Sequence, residues 1–274
     1  MEKNKVKMRE AIERIQAKKG FICDMDGVIY KGNMILPGVV EFVEWLNKND
    51  KEFLFLTNSS SRSPLELKQK LKRMGLDIAE EHFYTSALAT AKFIARQSPG
   101  CTAYTIGAPG LQNALHDAGI GMNDVDPDYV VIGETHNYNY DAILKATTLV
   151  INGAKLIGTN PDTTGPTEEG LIPACKALLA PVEIATGRKA YYVGKPNPLM
   201  MRTGLRMLGV HSEDAVMIGD RMDTDIIAGI ETGIETVLVL TGVTRRNDLP
   251  KFPYGPSFVL PGIGAIAGYK HQKG

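Results

Sequence analysis

The sequence predicts an α/β fold whose parallel sheet is covered by helices on both faces. Three observations support this prediction. Short apolar runs rich in β-branched residues alternate with helical patterns along the chain, as in proteins built from βαβ units. These runs are apolar throughout, which is typical of parallel strands buried on both faces. The 274 residues also exceed the common size of one domain, so we expect one large or two moderate domains.

The order of these runs predicts the individual elements. The strands are FIC at 21–23, FLFL at 53–56, AYTI at 103–106, YVVI at 129–132, KLIG at 155–158, YYV at 191–193, AVMI at 215–218 and TVLVL at 236–240. Helices are expected at about 38–49, 64–74, 87–97, 109–118, 138–152, 197–208 and 223–232. Ser63 before Pro64 supplies a helix start, and Gly233 supplies a helix end. PGIGAIAG near the C-terminus is expected to be a loop.

Composition and charge narrow the class of partner. The 31 basic residues balance 31 acidic residues, so the chain lacks the overall positive field that binds nucleic acid or an anionic membrane. We therefore expect a small-molecule partner held by a local site. Cys23, Cys101 and Cys175 fit neither a zinc site nor a disulfide framework. Cys23 lies in an apolar run and is expected to be a buried thiol in a reducing, cytoplasmic compartment.

The first twenty residues are expected to form an N-terminal extension. They lack the apolar segment of a secretion signal, and their acidic residues argue against a transit peptide. Met8, Ile12 and Ile15 recur at helical spacing. This spacing predicts a surface helix packed on the domain, with membrane contact as the alternative. No apolar run approaches the roughly 20 residues that span a bilayer.

Four of the predicted strands lead into side chains that can do chemistry. FIC leads to Asp24, FLFL to Thr57 and Asn58, YYV through Gly194 to Lys195, and AVMI through Gly219 to Asp220. Ligands bind outside the carboxyl ends of the strands of an open parallel sheet, so the four ends are expected to converge on one crevice. The strands between 85 and 186 end in nothing comparable, and this segment is interpreted as an inserted domain.

The two aspartates of DMDGV predict the chemistry, because Asp24 and Asp26 would face the same side of an extended segment and repel each other. A site for a phosphate monoester and a divalent cation would offset that repulsion. Asp24 would attack phosphorus to form an aspartyl-phosphate, and Asp26 would exchange protons with the leaving group and the hydrolytic water. Mg²⁺ would bridge Asp24, Asp220 and a phosphoryl oxygen. Asp223 and Asp225 are candidates to orient its bound water, and Asp225 is the better placed.

Two further residues are expected to hold the phosphoryl group. Lys195 would add a positive charge, and the hydroxyl of Thr57 would donate a hydrogen bond. Each has a plainer interpretation, since Lys195 could be a solvated surface lysine and Thr57 could cap the next turn. The aspartate pair could also belong to a calcium loop. However, Gly27 follows Asp26 directly, and no glutamate stands where such a loop needs one.

Taken together, these segments resemble a known family. DMDGV, LTN, GKPNP and GDRMDTD are similar to the four motifs of the haloacid dehalogenase (HAD) superfamily, in the order and at the strand ends that the family requires. The insertion resembles the class IIA cap, and TNPD at 159–162 with VGKPNP at 193–198 resembles the NagD-type nucleotide phosphatases. The resemblance implies a doubly wound, Rossmann-like core with an inserted α/β cap. Its parts would be the extension at 1–20, the core at 21–84 and 187–274, and the cap at 85–186.

The resemblance also implies an activity. It implies an Mg²⁺-dependent phosphomonoester hydrolase whose metal ligands are Asp24, Asp220 and the main chain of Asp26. A carboxyl at Asp26 separates the chain from the dehalogenases and P-type ATPases, which resemble it up to the nucleophile. A non-catalytic binding protein on the same fold is the alternative from another class.

The expected substrate depends on the loop GTNPDTTGP at 158–166. In the family that the chain resembles, this loop closes over the site, so Asn160 and Asp162 would bind the leaving group while Thr57, Asn58 and Lys195 bind the phosphate. The loop has no Lys or Arg for a second phosphate. Nucleoside monophosphates are therefore expected first and sugar phosphates next, with p-nitrophenyl phosphate, phosphoglycolate or pyridoxal phosphate as alternatives. Either a monomer or a homodimer is compatible with this site.

Overall fold

The computed structural model of the chain describes residues 2–167 and 170–269. Three short segments lie outside the described residues. They are Met1 of the predicted extension, 168–169 of the predicted cap and 270–274 of the predicted core. The helices are α1 (Glu2–Gln16), α2 (Val39–Lys48), α3 (Pro64–Arg73), α4 (Ser86–Gln97), α5 (Pro109–Asp117), α6 (Tyr140–Ile151), α7 (Cys175–Thr186), α8 (Pro198–Leu208) and α9 (Ile227–Thr232). The strands are β1 (Gly20–Cys23), β2 (Tyr30–Lys31), β3 (Met34–Ile35), β4 (Glu52–Thr57), β5 (Phe83–Thr85), β6 (Thr102–Ile106), β7 (Gly121–Met122), β8 (Tyr129–Ile132), β9 (Lys155–Gly158), β10 (Thr164–Thr167), β11 (Gly170–Pro173), β12 (Tyr191–Tyr192), β13 (Ala215–Gly219), β14 (Glu235–Val239) and β15 (Phe258–Leu260).

The described chain divides into two compact units. The first unit comprises the described parts of Met1–Leu56, Lys70–Phe83 and Met201–Gly274, and the second comprises those of Thr57–Gln69 and Tyr84–Met200. The cap boundaries at 85–186 stay a prediction. The second unit contains that segment together with Asn58 and Lys195, whereas Asp24, Asp26 and Asp220 belong to the first unit.

A six-stranded sheet forms the centre of the first unit, in the order β15-β14-β13-β1-β4-β5. β1 lies inside the sheet and pairs in parallel with β13 on one side and β4 on the other. Phe21, Ile22 and Cys23 of β1 are fully buried, as expected where helices cover both faces. The predicted α/β class is confirmed. Because β1 and β13 run in parallel, the residues that follow them leave the sheet at the same edge.

Helix α2 shows how the sequence covers this sheet. Val39, Phe42, Val43 and Leu46 are buried, and their spacing of three and four residues places them on one helical face. The Phe42 ring meets the Phe21 ring of β1 edge to face, with the centroids 6.1 Å apart. The apolar stripe therefore fixes α2 against the central strand.

A five-stranded sheet forms the second unit, in the order β12-β9-β8-β6-β7, and its pairs are parallel. Helix α7, which packs in the core of this unit with α6, was not predicted because Pro181 lies inside it. A proline removes one helical hydrogen bond and normally ends a helix. Burial of Leu178, Leu179 and Val182 along α7 stabilises the helix in spite of the proline.

Other differences from the prediction involve short elements. Strands β2, β3, β5, β7, β10, β11 and β15 were not predicted, because two to four residues show too little periodicity to be recognised. The predicted loop at 158–166 ends early, since Thr164–Thr167 pairs antiparallel with Gly170–Pro173. The C-terminal PGIGAIAG contains a 3₁₀ helix at Ile263–Ala267, which the loop prediction missed.

Helix α1 lies against the first unit. Its Ile15 side chain is fully buried, and Gln16 Nε2 donates a hydrogen bond of 2.6 Å to the carbonyl oxygen of Ile266. Just beyond the helix, Lys18 Nζ lies 2.9 Å from Glu235 Oε2. These contacts anchor the C-terminal turn of α1. Within residues 2–167 and 170–269, none of the helices is both long enough and apolar enough to span a membrane.

All three cysteines are free and buried. Burial raises the pKa of the Cys23 and Cys101 thiols, and burial together with the charge of Glu134 raises the pKa of Cys175 to about 12. The thiolate is the reactive form of cysteine. The cysteines are therefore structural in the native state, as predicted for Cys23.

We expect the native protein to resist alkylation by iodoacetamide at pH 8, because burial both blocks access and keeps the thiols protonated. Mass spectrometry counts the groups attached. The same protein unfolded in guanidinium should gain three groups, one per cysteine. Rapid modification of native Cys23 or Cys175 would contradict the structure.

Candidate functional site

Three buried carboxylates cluster at the carboxyl edge of the first sheet. Asp24 directly follows β1, Asp220 directly follows β13, and Asp225 lies in the π-helical turn Met222–Ile226 before α9. Each offers a carboxylate oxygen within 4.8 Å of the other two. Because β1 and β13 are neighbours in register, the sheet itself brings Asp24 and Asp220 together, as the sequence predicted.

Main-chain N–H groups orient two of these carboxylates. Asp225 Oδ2 accepts hydrogen bonds from the N–H groups of Asp220 and Arg221, at 3.1 and 3.0 Å. Asp220 Oδ2 accepts a bond of 2.6 Å from the N–H of Val243, in the loop after β14. The loops after β13 and β14 therefore hold the carboxylates in place, and Asp225 belongs to the cluster itself.

The donor set of this cluster fits a hard divalent cation. Asp24, Asp220 and Asp225 offer only oxygen ligands, which Mg²⁺ and Ca²⁺ prefer. Three buried carboxylates repel one another unless a positive charge lies among them. Arg221, the next residue after Asp220, pairs with Asp223, whose side chain is 58% exposed. The first of the two predicted orienting residues, Asp223, is thus at the surface, and the second, Asp225, is in the cluster.

Asp26 has partners of its own. It lies beyond the end of β1, is half-buried, and is not one of the three clustered carboxylates. The hydroxyl of Tyr30 donates a hydrogen bond of 3.1 Å to Asp26 Oδ2, and Lys70 Nζ lies 3.6 Å from the centroid of the Tyr30 ring. A phenol polarised by a nearby cation is a good donor. This contact orients the Asp26 carboxyl.

In the second unit, the side chain of Asn58 holds Lys195. Asn58 Oδ1 accepts a bond of 2.7 Å from the Lys195 N–H, and Asn58 Nδ2 donates one of 3.0 Å to the Lys195 carbonyl oxygen. Asn58 Nδ2 also lies 3.1 Å from Asp162 Oδ2. Lys195 is buried, with 1% of its surface exposed, which rules out the solvated surface lysine. The loops after β4, β9 and β12 thus meet at one carboxamide.

A second layer of this network was missed by the sequence analysis. Asn160 Nδ2 donates to the carbonyl oxygen of Asn58 at 2.7 Å and to Glu134 Oε1 at 2.6 Å. Glu134 Oε2 accepts from the N–H of Ser60 at 3.0 Å and from the Ser60 hydroxyl. Glu134 follows β8 and Asn160 follows β9. The expectation that the strands of 85–186 lead to no polar side chain comparable with those of the core is therefore wrong. The run YVVIGE could have indicated Glu134, because a glycine and a charged residue follow the strand there as well.

The other residues predicted to bind the substrate are Thr57, Asn160 and Asp162. Thr57 is buried, and its Oγ1 accepts a bond of 3.1 Å from the N–H of Ser59. That contact is the predicted turn cap, and it leaves the Thr57 O–H available to donate to a ligand. Asp162 is half-buried, and its N–H donates to Asn160 Oδ1 at 3.1 Å. Asn160 is fully buried, so its carboxamide is engaged inside the protein.

We expect Glu134→Gln to lower the free energy of unfolding by about 1–3 kcal/mol. A glutamine amide has one acceptor oxygen and one NH₂ donor in place of two acceptor oxygens, so the bonds from Asn160 and from Ser60 cannot both survive. Urea denaturation measures the change. Asp117→Asn is the matched control, since that side chain is 80% exposed, and it should change stability by less than about 0.5 kcal/mol. Equal effects of the two substitutions would show that the Glu134 bonds contribute nothing.

Comparisons with known proteins identify the family. A profile of haloacid dehalogenase-like hydrolases matches residues 21–121, and a second HAD-hydrolase-like profile matches 192–266. The chain is 45% identical over 247 residues to a dihydroxyacetone phosphatase of Corynebacterium glutamicum, which covers 90% of each chain. It is 43% identical over 248 residues to the ribonucleotide monophosphatase NagD of Escherichia coli, covering 90% of this chain and 98% of that protein.

A solved structure agrees with these matches. The p-nitrophenyl phosphatase from Archaeoglobus fulgidus superimposes with a TM-score of 0.86 at 36% identity, over 92% of this chain and 98% of that one. Relatives this similar over nine-tenths of the chain share one fold and one arrangement of motifs, and the resemblance found in the sequence is confirmed. The chain belongs to the family of haloacid dehalogenase-like hydrolases.

Proposed function

We propose that this phosphomonoester hydrolase acts on nucleoside monophosphates first and on sugar phosphates next, through an aspartyl-phosphate formed on Asp24. The observation that supports the chemistry best is the group of three buried carboxylates after β1 and β13. The substrate class is supported by two relatives, which are named a ribonucleotide monophosphatase and a dihydroxyacetone phosphatase. A phosphatase for p-nitrophenyl phosphate, phosphoglycolate or pyridoxal phosphate is the second candidate, since a p-nitrophenyl phosphatase is a structural neighbour.

The proposed reaction has two displacements at phosphorus. In the first, a carboxylate oxygen of Asp24 bonds to phosphorus while the ester P–O bond breaks, and protonated Asp26 gives its proton to the departing alkoxide. In the second, Asp26 takes a proton from water, the water oxygen bonds to phosphorus, and the Asp24–phosphorus bond breaks. Inorganic phosphate, the Asp24 carboxylate and protonated Asp26 result, as at the start of the cycle. Tyr30 holds the Asp26 carboxyl in one orientation during both proton transfers.

The residues that would hold Mg²⁺ are Asp24, Asp220 and Asp225, with the main chain of Asp26 as the family resemblance implies. When bound, the ion would offset the charge of the carboxylates and of the phosphoryl oxygens. In the second unit, Lys195 would supply a positive charge to the phosphoryl group and Thr57 a hydroxyl donor. Asn58 would act through its two bonds to the Lys195 main chain, which fix the point from which the lysine side chain extends.

Asp162 and Asn160 would differ in role. Asp162 is half-buried and carries a carboxylate suited to accept bonds from the hydroxyls of a sugar. The predicted contact between Asn160 and the substrate stays a prediction. The bonds of Asn160 to Asn58 and Glu134 favour instead a positioning role through Asn58.

We expect Asp24→Asn to reduce Mg²⁺-dependent hydrolysis of p-nitrophenyl phosphate to background, because it removes the nucleophile. Asp26→Asn should slow turnover by about 10²- to 10⁴-fold, the usual contribution of proton transfer. Steady-state kinetics measure both, and thermal melts confirm that the variants fold. Asp117→Asn, which changes an exposed carboxylate in the same way, should retain full activity. An active Asp24→Asn protein would overturn the mechanism.

We expect Asp162→Ala to change the ranking of substrates. Loss of one hydrogen bond should lower kcat/KM for nucleoside monophosphates about fivefold, equivalent to about 1 kcal/mol. Hydrolysis of p-nitrophenyl phosphate should change less, because its leaving group has no hydroxyl groups for Asp162 to bind. A panel of phosphorylated metabolites assayed with Mg²⁺ measures the ranking. The same proportional loss on every substrate would show that Asp162 serves only to hold Asn58, and a preference for triphosphates would overturn the substrate assignment.

A further inference from the structure

A cavity of about 450 Å³ lies in the second unit, apart from the residues described above. Its walls come from the C-terminal half of α4, the amino ends of β8 and β9, and the segment that leads into β12. A volume of this size is typical of small-molecule sites. Glu134, Asn160 and Lys195 follow the carboxyl ends of these same strands. The cavity therefore lies at the opposite edge of the sheet from them.

The wall of the cavity is positively charged. Lys155, Arg188 and Lys189 line it, and none of the lining residues is acidic. Within the described part of the chain, these three side chains form no ion pair. A concave surface lined by three positive charges raises the local concentration of anions. The charge of the wall thus favours a ligand that carries a phosphate or carboxylate group.

Aromatic rings form the other part of the wall. Phe93 and Tyr191 stack with their centroids 5.1 Å apart and their planes at 25°. Tyr191 nevertheless keeps 45% of its surface exposed, so a planar ligand can extend the stack. Tyr129 lies beside them, with Lys155 Nζ 5.2 Å from its ring centroid. Rings next to cations suit a ligand that is both flat and negatively charged.

One hydrogen bond connects this cavity to the loop that contains Lys195. The Tyr191 hydroxyl accepts a bond of 2.8 Å from Asn197 Nδ2. The Asn197 N–H in turn donates a bond of 3.0 Å to the carbonyl oxygen of Gly194 and so closes the turn around Lys195. A ligand that moves the Tyr191 ring must therefore disturb a bond made by that turn.

We propose that this cavity is a regulatory site for a planar aromatic anion of the nucleotide type, and that the Tyr191–Asn197 hydrogen bond couples its occupancy to the Lys195 turn. The ring of the ligand stacks on Tyr191, and its anionic group lies among Lys155, Arg188 and Lys189. The proposal concerns binding at a separate site, so it does not depend on which phosphate ester is hydrolysed.

Binding is tested with AMP, titrated into the full-length ¹⁵N-labelled protein in EDTA and followed by NMR. We expect the amide signals of Ser98, Lys155 and Lys189 to shift saturably. Adenosine, which lacks the anion, and inorganic phosphate, which lacks the ring, should bind there at least tenfold more weakly. No saturable shift of these signals with AMP, or equal binding of adenosine, would overturn the proposal.

Variants separate this site from the hydrolytic one. Arg188→Ala combined with Lys189→Ala should weaken AMP binding at the cavity signals at least tenfold and leave shifts at Asn58 unchanged. Lys92→Ala, a control at an exposed lysine of α4 outside the cavity, should change neither. AMP binding that the double variant does not weaken would place the ligand elsewhere.

The coupling has its own test. Tyr191→Phe keeps the ring and removes the hydroxyl that accepts from Asn197. We expect AMP to shift the Asn197 side-chain amide signal in the wild type. In Tyr191→Phe the cavity signals should still shift, while the AMP-induced shift at Asn197 is lost. An unchanged shift at Asn197 in the variant would overturn the coupling. Because EDTA removes the metal, the result is independent of whether turnover occurs.

Discussion

The mutual repulsion of Asp24, Asp220 and Asp225 is the constraint on which the first unit depends. Unit charges within 4.8 Å of one another repel by at least about 3 kcal/mol per pair at an effective dielectric constant of about 20. The sheet imposes part of this proximity, because β1 and β13 are paired neighbours that end side by side. The N–H groups of Asp220, Arg221 and Val243 offset part of it. The fold thus gathers oxygen ligands at one point of the first unit, where a divalent cation would offset the charge of the carboxylates.

The loops of the second unit are ordered by a network of side-chain hydrogen bonds. A buried charge is costly unless it is paired and hydrogen-bonded. Asn58 contacts the main chain of Lys195, so it orders the loop from which the lysine side chain extends. Glu134 does not hydrogen-bond Asn58 directly in this network, but it accepts hydrogen bonds from the Asn160 side chain and from the Ser60 main chain. The loop that carries Lys195 is thereby fixed by hydrogen bonds.

The sequence predicted the parallel strands well because each is a continuous apolar run that stops at a polar side chain, as at Asp24 and Asp220. It predicted the pair Asp24 and Asp26 by a weaker argument, since β1 ends at Cys23 and strand alternation does not extend to Asp26. Helix α7 was missed because a proline inside a segment argues against a helix in the sequence. In the folded protein, burial of the apolar face of α7 stabilises the helix in spite of Pro181. Glu134 was missed although YVVI leads through Gly133 to it, just as YYV and AVMI lead through glycine to Lys195 and Asp220.

That shared pattern has a physical reason, which makes it useful for reading other α/β chains. A Cβ at Gly194 would lie 2.7 Å from Asn58 Oδ1, and one at Gly219 would overlap the Asp225 carboxylate. In each case the glycine leaves room for the polar side chain that hydrogen-bonds the next residue's main chain. The glycine and the charged residue therefore form one unit. In this chain, an apolar strand followed by glycine and a charged residue therefore marks a place where a polar side chain packs on the glycine and hydrogen-bonds the main chain of the charged residue.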